Sequence, residues 1–147
     1  NPQARVVECR LPRLRLPAAS FDTVIAVEPP GRTERARLLK EIFRVLRPGG
    51  QVALADFLPE PGPEDEDPIT DPGAYAALMT KIGFQEVRLT DVTARTAEPF
   101  RERLMAFLQV KYLEGFDEES LRAFREALPG GGAPIQSYVF VAARRPA

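Results

Sequence analysis

Apolar residues run unbroken through Val24-Ile25-Ala26-Val27 and again through Val52-Ala53-Leu54-Ala55. A run with no polar alternation marks a strand covered on both faces, as in a parallel sheet flanked by helices. Between the two runs, Leu38, Leu39, Ile42, Phe43, Val45 and Leu46 recur at helical spacing, with Glu34, Arg35, Arg37, Lys40 and Glu41 largely on the other face. That pattern predicts an amphipathic helix with Thr33 as its N-cap. Pro48 cannot continue the helix, and Pro48-Gly49 suits a type II turn that delivers the chain into a strand at 51–57. Strand, helix, turn and strand in this order predict an α/β fold.

The flanking patterns extend it. Residues 5–9 suit a short strand, and the Pro-bounded alternation of 10–17 an extended connector whose leucines rest on a core and whose arginines lie over it. Five prolines fall within 59–73, and five of its six acidic residues lie between Glu60 and Asp67, which predicts a solvated acidic loop. A helix then runs from Asp71 or Pro72 through Tyr75, Leu78, Met79 and Ile82 to a left-handed cap at Gly83. Phe84, Val87, Leu89 and Val92 alternate with charged residues, as in a strand near a sheet edge. Phe100, Leu104, Phe107, Leu108 and Tyr112 form one helical stripe, and Asp117 caps a second helix bearing Leu121, Phe124 and Leu128. Gly130-Gly131-Gly132 reads as a loop before a last strand at Tyr138–Ala143.

Composition narrows the chemistry. With 147 residues, 44% of them hydrophobic, the chain suits one domain. Twenty basic against 21 acidic residues leave a formal charge of -1, so no overall field favours nucleic acid or an anionic membrane. The lone Cys9 excludes an internal disulfide. Together with the absence of histidine it argues against a metal site and against Ser-His hydrolysis. No 18-residue apolar run or charged-then-apolar leader is visible, and the expected location is cytoplasmic.

Ser20-Phe21-Asp22 entering a strand, Glu28 ending it and Val45-Leu46-Arg47-Pro48-Gly49-Gly50 leaving the helix resemble the second half of a class I S-adenosylmethionine-dependent methyltransferase domain. The transition Gly83-Phe84-Gln85-Glu86-Val87 and the terminal run 138–146 extend the resemblance from about Val6 to the end. It implies a partial Rossmann-like sheet, mostly parallel with its last strand antiparallel, in the order 3-2-1-4-5-7-6. A two-helix insertion at 97–129 would precede that last strand. Residues 5–9 would be the third strand, and the first two, with the glycine-rich turn that cradles the cofactor, are absent from the sequence. The chain therefore reads as a truncated domain, either a fragment or a degenerate copy.

The resemblance also implies S-adenosyl-L-methionine as cofactor, bound only if the N-terminal half is supplied, and a small-molecule acceptor. Cys9 and Arg10 fall where the family commonly places Gly-Asp against the adenine. Glu28 and Pro29 would line the cofactor's methionine end. Open α/β sheets bind ligands beyond the carboxyl ends of their strands, which makes Glu28 and Asp56 the candidate catalytic bases. Each also has a plainer reading, Glu28 as a loop charge and Asp56 as a solvated anchor. Tyr75 and Tyr112 read as core, and Cys9 as a small buried hydrophobe. Without its first-strand neighbour, strand 23–28 would present an apolar edge to the missing half or to a partner chain. A catalytically inactive interaction domain is the alternative to an enzyme.

Overall fold

The computed structural model describes residues 6–9, 11–29, 35–59, 69, 71–126 and 135–147. Its strands are β1 (Phe21–Val27), β2 (Leu46–Pro59), β3 (Gln85–Asp91) and β4 (Ile135–Arg144), and its helices are α1 (Arg35–Val45), α2 (Pro72–Ile82), α3 (Ala97–Leu113) and α4 (Glu118–Glu126). They form one sheet in the order β1-β2-β4-β3. β1 and β2 are parallel, and β4 runs antiparallel between β2 and β3. This is the 4-5-7-6 portion of the expected order.

Helix α1 forms because Leu38, Leu39, Ile42 and Val45 share one buried face. Its last carbonyls accept from Ala19 and Ser20 N–H, and Arg145 Nη1 donates to Phe43 O at 3.0 Å and to Leu46 O just beyond the helix at 2.6 Å while its guanidinium lies 4.9 Å from the Phe43 ring. Its polar face holds the 11–16 connector. Arg44 donates to the carbonyls of Leu14 and Leu16, and Glu41, its carboxyl held below the ordinary value chiefly by Arg44, accepts from Leu14 N–H. Helix α2 begins where Asp71 accepts from Ala74 N–H, with Pro72 in the first turn, and it ends at Gly83 with φ 114°.

Both helices cover one face of the sheet. Val52, Leu54 and Leu58 of β2 and Val139, Val141 and Ala143 of β4 pack there with Leu39, Ile42, Tyr75 and Met79. The opposite face carries Ile25, Val27, Ala53, Ala55, Phe140 and Ala142 along an open trough of about 440 Å³.

Several expectations are corrected. β1 is not covered on both faces: Ile25 is 73% and Val27 67% exposed, since α1 and α2 lie only on the side of Val24 and Ala26. Residues 6–9 form no strand and are exposed, so the sheet has four strands among the described residues, and Cys9 is an exposed free thiol rather than a buried hydrophobe. Gly49 has the positive φ expected of it, 77°, but Pro48-Gly49 lies inside β2 as an irregularity rather than ahead of the strand, and a Cβ on Gly50 would stand 2.9 Å from Arg47 O.

The helical stripe of α3 is largely exposed. Leu108 is buried, whereas Phe100, Phe107 and Tyr112 are not, so Tyr112 is not a core residue. Asp117 does cap α4, accepting from Ser120 N–H at 2.7 Å. Thr33, Arg10, most of the acidic loop, Leu128 and Gly130-Gly131-Gly132 lie outside the described residues.

Candidate functional site

At the carboxyl ends of the parallel strands the structure places a carboxylate, a phenol and three phenylalanines around one cavity. Glu28 follows β1 immediately. Its N–H donates to Ala55 O at 2.7 Å, extending the β1–β2 ladder by one residue, and its backbone then turns left-handed at φ 46°. A non-glycine residue pays for that conformation, which recurs where a side chain must be aimed. Tyr138 stands opposite Phe57 in the β2–β4 register and donates from its hydroxyl to Glu28 Oε1 at 3.0 Å.

The cavity, about 330 Å³, is lined by Glu28, Phe57, Thr96, Phe100, Tyr138 and Phe140. Strand alternation explains the set, because Phe57, Tyr138 and Phe140 point away from the face that α1 and α2 cover. Thr96 and Phe100 arrive from the start of α3, which is fixed to the sheet by a short polar chain. Asp91 accepts from both the hydroxyl and the N–H of Thr93, and Thr93 Oγ1 accepts from Tyr138 N–H at 2.8 Å. Those Thr93 bonds hold the Asp91 carboxyl below its ordinary value.

Tyr138 is pushed up to about 12, first by burial and then by its hydrogen bond to Glu28 and the charges of Glu28 and Asp56. It is therefore a hydrogen-bond donor at physiological pH, not a base. Tyrosinate absorbance is expected to show a component titrating near pH 12 that is lost in Tyr138→Phe. Glu28→Gln is expected to bring that midpoint down, though not to the free value, since burial persists. A midpoint indifferent to Glu28→Gln would break the link between the two side chains.

Asp56 lies on the other face, fully buried, and does not line the cavity. Arg35 donates from Nε to Oδ2 at 2.9 Å and from Nη2 to Oδ1 at 3.3 Å, and Tyr75 OH donates to Oδ2 at 3.2 Å. Nη2 also reaches Phe57 O at 3.2 Å. Burial raises the Asp56 carboxyl, and Arg35 and then Tyr75 pull it partly back. This corrects the reading of Asp56 as a solvated anchor and of Arg35 as a residue of the polar helix face.

Of the remaining sequence candidates, Pro29 is half-buried beside Glu28, Cys9 is exposed and does not line the cavity, and Arg10 lies outside the described residues. Sequence reasoning missed Tyr138 and Arg35. Both had a signal: Tyr138 alternates with Val139 and Val141, and Arg35 precedes Leu38, Leu39 and Ile42 at helical spacing. Among the described residues no three His, Cys, Asp or Glu side chains converge as metal ligands. No helix there is long and apolar enough to cross a membrane.

A methyltransferase-domain family model matches residues 1–54. The 27-O-demethylrifamycin SV methyltransferase of Amycolatopsis mediterranei (strain S699) is 30% identical, over 90% of this chain and 56% of that enzyme. Haemonchus contortus phosphoethanolamine N-methyltransferase 2, solved with phosphomonomethylethanolamine and S-adenosylhomocysteine, matches 95% of this chain and 37% of its own at TM-score 0.66 and 20% identity. The [4+2]-cyclase SpnF matches 94% of this chain and 55% of its own at TM-score 0.62 and 19% identity. At those identities the superpositions show the fold alone, and the cyclase illustrates how one fold hosts different chemistries. The chain spans about half or less of the length of these relatives.

Proposed function

Because the chain is part of a class I methyltransferase domain, we propose that it contributes the acceptor side of an S-adenosylmethionine-dependent methyl transfer to a small molecule. The observation that carries this reading is Glu28, held by Tyr138 at the carboxyl end of β1 and facing an aromatic cavity. The cofactor supplies an activated methyl group on a sulfonium. Glu28 and Pro29 would lie toward its methionine end, where a carboxylate suits a cation. The glycine-rich turn that would hold the rest is not in these 147 residues, and neither Cys9 nor Arg10 offers the carboxylate that accepts an adenine amino proton.

What these residues do is orient and deprotonate. Phe57, Phe100 and Phe140 give the acceptor apolar walls to rest on, Tyr138 fixes one Glu28 oxygen, and Oε2 remains to take the proton that the acceptor releases as it gains the methyl group. Asp56, proposed from sequence as a second base, instead supports the site through Arg35 and the Phe57 carbonyl. An exposed free thiol suits the reducing cytoplasm proposed for the protein.

The test adds labelled S-adenosylmethionine and candidate acceptors to a protein in which these residues follow a strand, glycine-rich turn and helix. Methyl transfer is expected there. Glu28→Gln should lower kcat on the order of 10²-fold with little change in Tm. Loss of folding along with activity would make Glu28 a structural cap. The alternative, an inactive interaction domain, draws on the open face of β1, and a complete domain that binds cofactor yet methylates no acceptor would favour it.

A further inference from the structure

We infer that the cavity at Glu28 binds small organic ammonium ions, the positive group resting against the aromatic rings with its charge opposite the Glu28 carboxylate. Among the described residues, four aromatic side chains, Phe57, Phe100, Tyr138 and Phe140, share the lining with that one carboxylate. Tyr138 and Phe140 stand with ring centroids 6.2 Å apart and planes at 73°, forming two adjoining walls nearly at right angles. The face of an aromatic ring carries the negative part of its quadrupole, so walls meeting this way attract a cation more than a neutral group of equal shape.

The charges agree. No lysine or arginine is among the described residues that line the cavity, and Arg35, on the other face of the sheet, is paired with Asp56. Glu28 Oε1 accepts from Tyr138, and no described residue bonds Oε2, which leaves an acceptor for an ammonium N–H or a counter-charge for a quaternary nitrogen. An anionic or phosphate-bearing group finds no partner in that lining. A purely apolar ligand would leave the carboxylate partly desolvated with no counter-charge from the ligand.

The inference deepens the proposed function by naming the acceptor's class as an amine, and it rests on that reading only for the word acceptor. Binding is measured without turnover, so its failure and the failure of methyl transfer are separate results.

The probes are choline and its uncharged isostere 3,3-dimethylbutan-1-ol, titrated into the 147-residue chain while the ring signals of its aromatic residues are followed by NMR. Choline is expected to bind at least about tenfold more tightly, a difference that reports the charge alone. Glu28→Gln, which keeps the shape and the Tyr138 hydrogen bond, should weaken choline by roughly tenfold and leave the isostere unchanged. Phe100→Leu with Phe140→Leu keeps the cavity apolar without its rings. It should also weaken choline selectively, which keeps the claim testable if Glu28→Gln misfolds. Equal affinities for the two probes, or choline binding indifferent to both sets of substitutions, would overturn the proposal.

Discussion

Asp56→Ala is expected to destabilise the protein by about 3 kcal/mol, because it removes the carboxylate that Arg35 Nε and Nη2 both reach within a buried network. At this chain length that corresponds to a fall in Tm of roughly 10 °C. The pair is 4% and 0% exposed, and Tyr75, also fully buried, loses its hydrogen bond to Asp56 at the same time. Replacing both charges by apolar residues of similar volume, Arg35→Met with Asp56→Leu, is expected to recover most of the loss. The reason lies in the carboxyl itself, where burial outweighs Arg35 and pushes the acid upward. The ion pair as a whole is thus no large source of stability, whereas a broken one is costly. Urea denaturation of the wild type, Arg35→Met, Asp56→Leu and the double variant measures the cycle, with Asp56→Ala alongside. A loss below about 1 kcal/mol for Asp56→Ala would show that Arg35 is compensated without Asp56 and that the carboxylate does not hold the network together.

How far the sequence revealed this arrangement depends on the kind of signal each element carries. Periodicity gave α1, α2 and α3 close to their observed bounds, because a buried helical face repeats whatever packs on it. The β1-α1-β2 unit was legible for the same reason, and so was the antiparallel last strand through the resemblance. Coverage was not legible. Val24-Ile25-Ala26-Val27 reads as doubly covered, yet the side chains that would cover Ile25 and Val27 are not among the described residues, and a strand's composition cannot report who its neighbours are. The exposed rings of α3 show the same gap between an apolar pattern and an actual burial.

At the site, Glu28 was legible from its place at a strand end. Its partner was not singled out, since Tyr138 lies 110 positions away in sequence and only the β2–β4 register brings it opposite Phe57. Asp56 was assigned by position along the strand, when its alternation with the buried Val52 and Leu54 was the better guide. A period of two puts it on the covered face, and a carboxylate there must have a cation.

The chain is expected to associate with itself in a concentration-dependent way through β1, and Ile25→Lys is expected to restore the monomer. Among the described residues β1 is bonded only to β2, so its outer N–H and C=O groups form an unpaired row. Neither lysine nor proline interrupts residues 23–27, the devices by which edge strands ordinarily resist pairing. The exposed Ile25 and Val27 stand beside the trough that continues across Ala53, Ala55 and Ala142, so a second strand would gain both hydrogen bonds and apolar contact. A lysine at 25 adds charge where the side chain is already 73% exposed, and folding stability should stay within about 0.5 kcal/mol. Sedimentation velocity over a concentration series separates the cases. Leu113→Lys serves as the control, because Leu113 is 78% exposed on α3, which also carries uncovered apolar residues. If Leu113→Lys disperses the assembly and Ile25→Lys does not, the associating surface is the helical pair, and the edge of β1 is protected by something other than a partner strand.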